Sequence, residues 1–129
     1  MLKVITPTTI APPASNYSQA IEVPPNARWL YVSGQVGARP DGTVAEGIHD
    51  QAHQAWANLI AIVEEAGMGA SDIVRVNAYI TDGAYVAPLR EIRNAYLGDH
   101  EPASTLSIVA GLASPDWLFE VEAVAARAD

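Results

Sequence analysis

The sequence predicts an α+β fold, a mixed six-stranded sheet with two helices packed on one of its faces. Three observations predict it. Two segments, 48–66 and 85–97, repeat apolar residues at helical spacing. Six others run for strand lengths between proline and glycine punctuation. Taken along the chain they read β-β-β-α-β-α-β-β, an order that gathers both helices on one side of a sheet.

Residues 2–6, LKVIT, form the first expected strand, closed by Pro7 and followed by a loop carrying Pro12 and Pro13. Residues 17–23, YSQAIEV, form the second, ended by Pro24 and Pro25. Residues 28–33 form its expected partner, with Pro-Pro-Asn as the hairpin connection. Because strand side chains alternate, Trp29, Tyr31 and Ser33 face one way and Leu30 and Val32 the other. The stretch GQVGARPDGTVAEG that follows holds four glycines and a Pro-Asp-Gly turn signal. Its spacing is not GxGxxG and no GK[ST] follows, so it is read as a loop and not a phosphate cradle.

In 48–66 the stripe is Ala52, Trp56, Leu59, Ile60 and Val63, with Asp50, Gln51, Gln54, Glu64 and Glu65 on the other side. Gly67 closes this helix. Residues 73–80 alternate as a strand, with Val74, Val76, Ala78 and Ile80 on one face and Ile73, Arg75, Asn77 and Tyr79 on the other. The second helix carries Val86, Leu89, Ile92 and Tyr96, tolerates Pro88 in its first turn, and stops at Gly98. Residues 104–110 and 117–125 complete the set of strands. Two helices cover only one sheet face. The other face stays apolar on several strands, and further copies of the chain are its economical cover.

Composition bounds the function. The chain has 129 residues, read as one domain (1–129), with 50% hydrophobic residues and a mean hydropathy of +0.10. That excludes disorder as the main state and is slightly apolar for a small monomer. The formal charge is −8, from 15 acidic and 7 basic residues, and Lys3 is the only lysine. Such a surface repels a phosphate backbone, so nucleic acid is not an expected partner. There are no cysteines, which removes thiolate catalysis and thiolate metal sites. No apolar run reaches membrane-spanning length and no signal peptide is evident, so a cytoplasmic location with no membrane partner is expected.

Few residues stand out as chemistry. His49 and His53 share a helix face, but the pair lacks the glutamate of HExxH and a third ligand; no metal is expected. Glu120 and Glu122 point to one face of a strand, where one of them could hold a water or accept a proton. Two acids on a wet strand face explain them equally well. Tyr17 follows a proline-rich loop and suits a small ligand, or simply favours a strand. Ser104, Thr105 and Ser107 make a polar run at a strand start, with no base placed beside them. Arg90, on the second helix, is either a surface arginine or a carboxylate clamp. Trp29, Trp56 and Trp117 read as core or interface anchors.

Five segments together resemble the reactive-intermediate deaminase family, also called YjgF or RidA. They are NYSQA at 16–20, LYVSGQVG at 30–37, NLIAIVEEAGMGASDIVRVNAYITD at 58–82, PAS at 102–104 and FEVEAVA at 119–125. They span nearly the whole chain in order. The resemblance implies a chorismate-mutase-like (YjgF-type) fold and a homotrimer, with sheets around the threefold axis and small-molecule clefts between subunits. Deaminating members hydrolyse enamines and imines such as 2-aminoacrylate to a keto acid and ammonia; no cofactor is expected for this chain. Their pattern places an arginine directly after the Pro-Ala, as a bidentate grip on the substrate carboxylate. Here Ser104 follows Pro102 and Ala103, and the small residue expected two positions on is Leu106. Tyr17 matches the family's cleft tyrosine, Ser33 its serine after the central strand, and Glu120 its water-orienting glutamate. Arg90 occupies a helix position that is often asparagine.

The site implied has Glu120 and Ser104 in catalytic positions and Tyr17, Ser33, Arg90 and Thr105 around the substrate. Losing a charged partner for the substrate costs about 2–5 kcal/mol. The expected function is therefore an enamine or imine deaminase-type hydrolase with altered substrate specificity. The alternative is a non-catalytic metabolite-binding or regulatory trimer.

Overall fold

The structure is a computed structural model and describes residues 1–129. Its principal elements are β1 (Lys3–Ile5), β2 (Ala20–Glu22), β3 (Arg28–Gln35), α1 (Gly47–Glu65), β4 (Ile73–Ile80), α2 (Val86–Leu97), β5 (Ala103–Ile108) and β6 (Phe119–Arg127). The order and number of strands and helices are those the sequence predicts. The last strand, β6, lies at the centre of a four-stranded sheet of order β3-β6-β4-β5. It runs antiparallel to both β3 and β4, whereas β4 and β5 are parallel and joined through α2. β1 and β2 form a separate antiparallel pair. A parallel bridge between Ser18 and Ala103 ties the segment before β2 to the edge strand β5. The six strands thus make a mixed two-plus-four arrangement with both helices on one face.

The hairpin expected between β2 and β3 does not form: β2 pairs with β1, and β3 with β6. Chemistry explains the difference. Pro24 and Pro25 offer no backbone N–H to a hairpin ladder. The nine-residue β6 instead offers β3 a continuous row of partners from Arg28 to Val32, Ala123 opposite Val32 and Ala125 opposite Leu30.

The core lies between the helices and the inner sheet face. Trp56, Leu59 and Val63 of α1 and Leu89 and Ile92 of α2 meet Val32, Ile73, Val76, Ile80, Phe119 and Val121. Each of these large side chains contributes about 1.5–3 kcal/mol by leaving water. α1 ends where Gly67 takes a φ of +76°, a left-handed turn that costs glycine nothing and lets Met68 N–H reach Val63 C=O at 3.1 Å.

Gln51 departs from the helix pattern. Its amide polarity assigns it to the wet side of α1, yet it is 3% exposed. Nε2 donates to the carbonyls of Ala45 at 3.1 Å and Asp116 at 2.9 Å, and Oε1 accepts from Leu118 N–H at 2.8 Å. One side chain thereby joins α1, the loop before it and the chain entering β6. The outer sheet face is uncovered. Trp29 and Tyr31 stand on it 51% and 76% exposed, their rings stacked at 6.4 Å.

Candidate functional site

A pocket of about 230 Å³ opens between α2 and the edge strand β5, on the helix side of the sheet. Register decides which β5 side chains reach it. Ser104 and Leu106 pair with Val76 and Ala78 and share their side of the sheet, so both line the pocket. Tyr17 enters from the segment ahead of β2. Its neighbour Ser18 fastens that segment to the start of β5, through N–H to Pro102 C=O at 3.0 Å and through a hydroxyl donated to Glu101 C=O. The Tyr17 hydroxyl accepts from Ala14 N–H at 3.3 Å. Arg90 reaches the pocket from α2. Trp56, Leu89 and Phe119 supply apolar wall.

Arg93 lines the same pocket, one helical turn after Arg90 and on its face. Sequence reasoning missed it. The i, i+3 spacing of two arginines on one helix was the available signal. Its Nε is buried and has no hydrogen-bond partner. The guanidinium's one bond within the protein is a 3.5 Å contact to the Ser15 hydroxyl. Burial, and then the like charge of Arg90, hold its pKa below the usual arginine value, while Glu101 acts the other way.

The remaining predicted residues lie on the opposite, uncovered face. Glu120 extends from β6 over the β-bulge at Ser33 and Gly34, where β3 shifts register against β6. A Cβ on Gly34 would lie 1.8 Å from Glu120 Oε2, so the carboxylate rests against the glycine backbone. Only a residue without a side chain permits that approach. Ser33 is exposed on the bulge itself. Thr105 is directed away from the pocket, and its Oγ1 accepts from Arg75 at 2.9 Å. Beside it Tyr79 donates to Glu122 at 2.8 Å. That hydrogen bond, with burial and the carboxylate charge, raises the tyrosine's pKa above 10.0.

The structure therefore brings Tyr17, Arg90 and Ser104 together and places Ser33, Thr105 and Glu120 behind the sheet from them. His49 and His53 are exposed on α1, and His53 Nδ1 lies 3.3 Å from the Tyr96 hydroxyl. No helix is long and apolar enough to cross a membrane.

Residues 8–127 match the family model described as endoribonuclease L-PSP. A RutC family protein of Pyrococcus abyssi is 36% identical over 128 residues, covering 97% of this chain and 98% of the relative. The 2-iminobutanoate/2-iminopropanoate deaminase of Mus musculus is 32% identical, with 98% and 93% covered. Among solved structures, YyfB of Yersinia pestis, from the Rid protein family, superposes with a TM-score of 0.86 at 31% identity over 96% of this chain and 97% of that one.

Proposed function

The chain belongs to the endoribonuclease L-PSP family, which includes the RidA/YjgF proteins, and on that premise we propose that it is a deaminase-type hydrolase of small enamines or imines. The observation that carries the proposal is the pocket between α2 and β5, an apolar cavity in which Tyr17, Arg90 and Ser104 converge. The mouse relative named as an iminobutanoate and iminopropanoate deaminase supports the reaction class.

In the proposed assembly, a homotrimer, the uncovered sheet face of one subunit closes the pocket of its neighbour. That docking carries Glu120 and Ser33 to the substrate and covers Trp29 and Tyr31. An enamine first tautomerises to the imine. Glu120 takes a proton from water as the water oxygen bonds to the C=N carbon and passes it to the imine nitrogen, giving a carbinolamine. Glu120 then takes the hydroxyl proton and delivers it to nitrogen as the C–N bond breaks, releasing ammonia, leaving the carbonyl product and restoring the carboxylate. Ser104 and Tyr17 offer hydroxyl groups to the reacting centre.

Ser104 stands where deaminating members place their arginine, so this chain's substrate preference differs from theirs. Arg28 does not take over that role. It lies away from the pocket, 2.6 Å from Asp129 and bonded to the Ala66 and Gly67 carbonyls.

Ammonia release from freshly generated 2-aminoacrylate and from a panel of larger and neutral imines tests the proposal, with an active family member run alongside. Turnover of at least one imine, lost in Glu120→Gln, is expected. No turnover of any would refute hydrolysis and leave a metabolite-binding trimer as the function.

A further inference from the structure

We infer that Arg93, with Arg90 beside it on α2, is the carboxylate-binding pair of the pocket, and that the pair selects a small monocarboxylate with an apolar tail. The inference deepens the reading above by naming the ligand class, but it concerns binding and is separable from turnover.

Arg28 is paired with Asp129 and two carbonyls, and Arg127 with Asp72 and Asp129. Arg39 and Arg75 each bond a threonine hydroxyl and are exposed to water, as is Arg90; what sets Arg93 apart is that it is partly buried as well. Arg93 has no ion pair, a buried Nε without a partner, and a single hydroxyl contact at 3.5 Å. A guanidinium carries five donors and stays cationic. Holding one half out of water, unpaired and one turn from a second cation, opposes folding rather than aiding it. An anion in the pocket relieves all of these costs at once.

Nothing in the pocket lining competes for that role, since it contains no aspartate or glutamate. The rest of the wall sets the shape of the ligand. Trp56, Leu106 and Phe119 are apolar and offer no cation beyond the Arg90–Arg93 pair, which disfavours a dicarboxylate. The volume, about 230 Å³, lies below the roughly 300–1,000 Å³ of sites for drug-sized molecules. Leu106 adds apolar surface beside the arginines, matching a tail longer than that of the smallest imino acids. The charge absent at Ser104 on the strand is thus supplied from the facing helix.

Titration calorimetry of the full chain with straight-chain carboxylates from acetate to hexanoate, each against its neutral amide, tests this without turnover. Affinity is expected to rise about fourfold per added methylene, and each amide to bind at least tenfold more weakly than its acid. Arg93→Gln is expected to lose tenfold or more in carboxylate affinity while unfolding no earlier than the parent. Arg93→Lys keeps the charge without the fork and should fall between. Equal binding of acid and amide, carboxylate binding unchanged in Arg93→Gln, or the absence of any carboxylate binding overturns the inference. So does an Arg93→Gln protein that unfolds far earlier, which would mark a structural arginine. Carboxylate binding without ammonia release would refute the hydrolase reading alone; turnover of neutral imines only would refute this one alone.

Discussion

Replacing Gln51 by leucine should destabilise the protein by about 3 kcal/mol, the sum of identifiable losses. The side chain is 3% exposed and makes hydrogen bonds of 3.1, 2.9 and 2.8 Å to three backbone groups. A net contribution of about 0.5–1.5 kcal/mol per bond gives roughly 1.5–4.5 kcal/mol. Leucine fills a similar volume and gains some apolar burial, but it strands two carbonyls and an N–H, each costing about 1–3 kcal/mol unless water reaches it. A middle value near 3 kcal/mol corresponds to a fall in Tm on the order of 10 °C for a chain of this size. Urea unfolding at one fixed protomer concentration measures it, because subunit association would otherwise move the midpoint. Gln51→Glu supplies the control. It keeps an acceptor for Leu118 N–H but points a carboxylate oxygen at the Ala45 and Asp116 carbonyls, so it should be at least as unstable at neutral pH. A Gln51→Leu protein within about 1 kcal/mol of the parent, or a Gln51→Glu protein of parental stability, would refute this account. Leu118 lies two residues before Glu120, so the same bond also sets where β6 presents its carboxylate.

Two glycine substitutions should separate stability from site geometry. An alanine Cβ at position 37 would lie 2.6 Å from the Gln51 Cα, so α1 itself must shift, and Gly37→Ala should cost about 1–3 kcal/mol in the same urea assay. At position 34 the obstruction is the flexible end of Glu120, whose oxygen must retreat from 1.8 Å. Gly34→Ala should change stability by less than about 1 kcal/mol, while a misplacement of an ångström or more should lower ammonia release on the order of a hundredfold. Tyr79 gives a pH prediction. Its folded pKa is raised above 10.0, first by the hydrogen bond to Glu122, so its contribution to stability is complete below about pH 10 and disappears as pH rises through the raised value. An ultraviolet difference titration of the parent against Tyr79→Phe should place its midpoint above 10, and Glu122→Gln should bring it down.

What the sequence made legible follows from what periodicity can report. Alternation placed Trp29, Tyr31 and Ser33 on one side of β3 and both Glu120 and Glu122 on one side of β6. The helical stripe of α1 also appeared as the buried side, with Trp56, Leu59 and Val63 in the core. Periodicity within a segment does not report which segments meet. The supposed β2–β3 hairpin failed for that reason, since the central position of β6 is decided by contacts across most of the chain. Polarity alone assigns Gln51 to water, because the backbone groups that bury it arrive from residues 45, 116 and 118. Ser104, Thr105 and Ser107 looked like one polar run, yet the parallel register with β4 sends Ser104 into the pocket and Thr105 to the uncovered face.

Arg93 and Glu120 lie on opposite sides of one sheet, so no rotamer within a single chain unites them. If both serve one substrate, the second must come from a neighbouring subunit. The uncovered face that exposes Trp29 and Tyr31 is also the face that carries Glu120. In the proposed trimer, burying those aromatics and completing the pocket are therefore one event. A charge introduced at Tyr31 should weaken assembly and ammonia release together, while carboxylate binding to the Arg90–Arg93 wall persists.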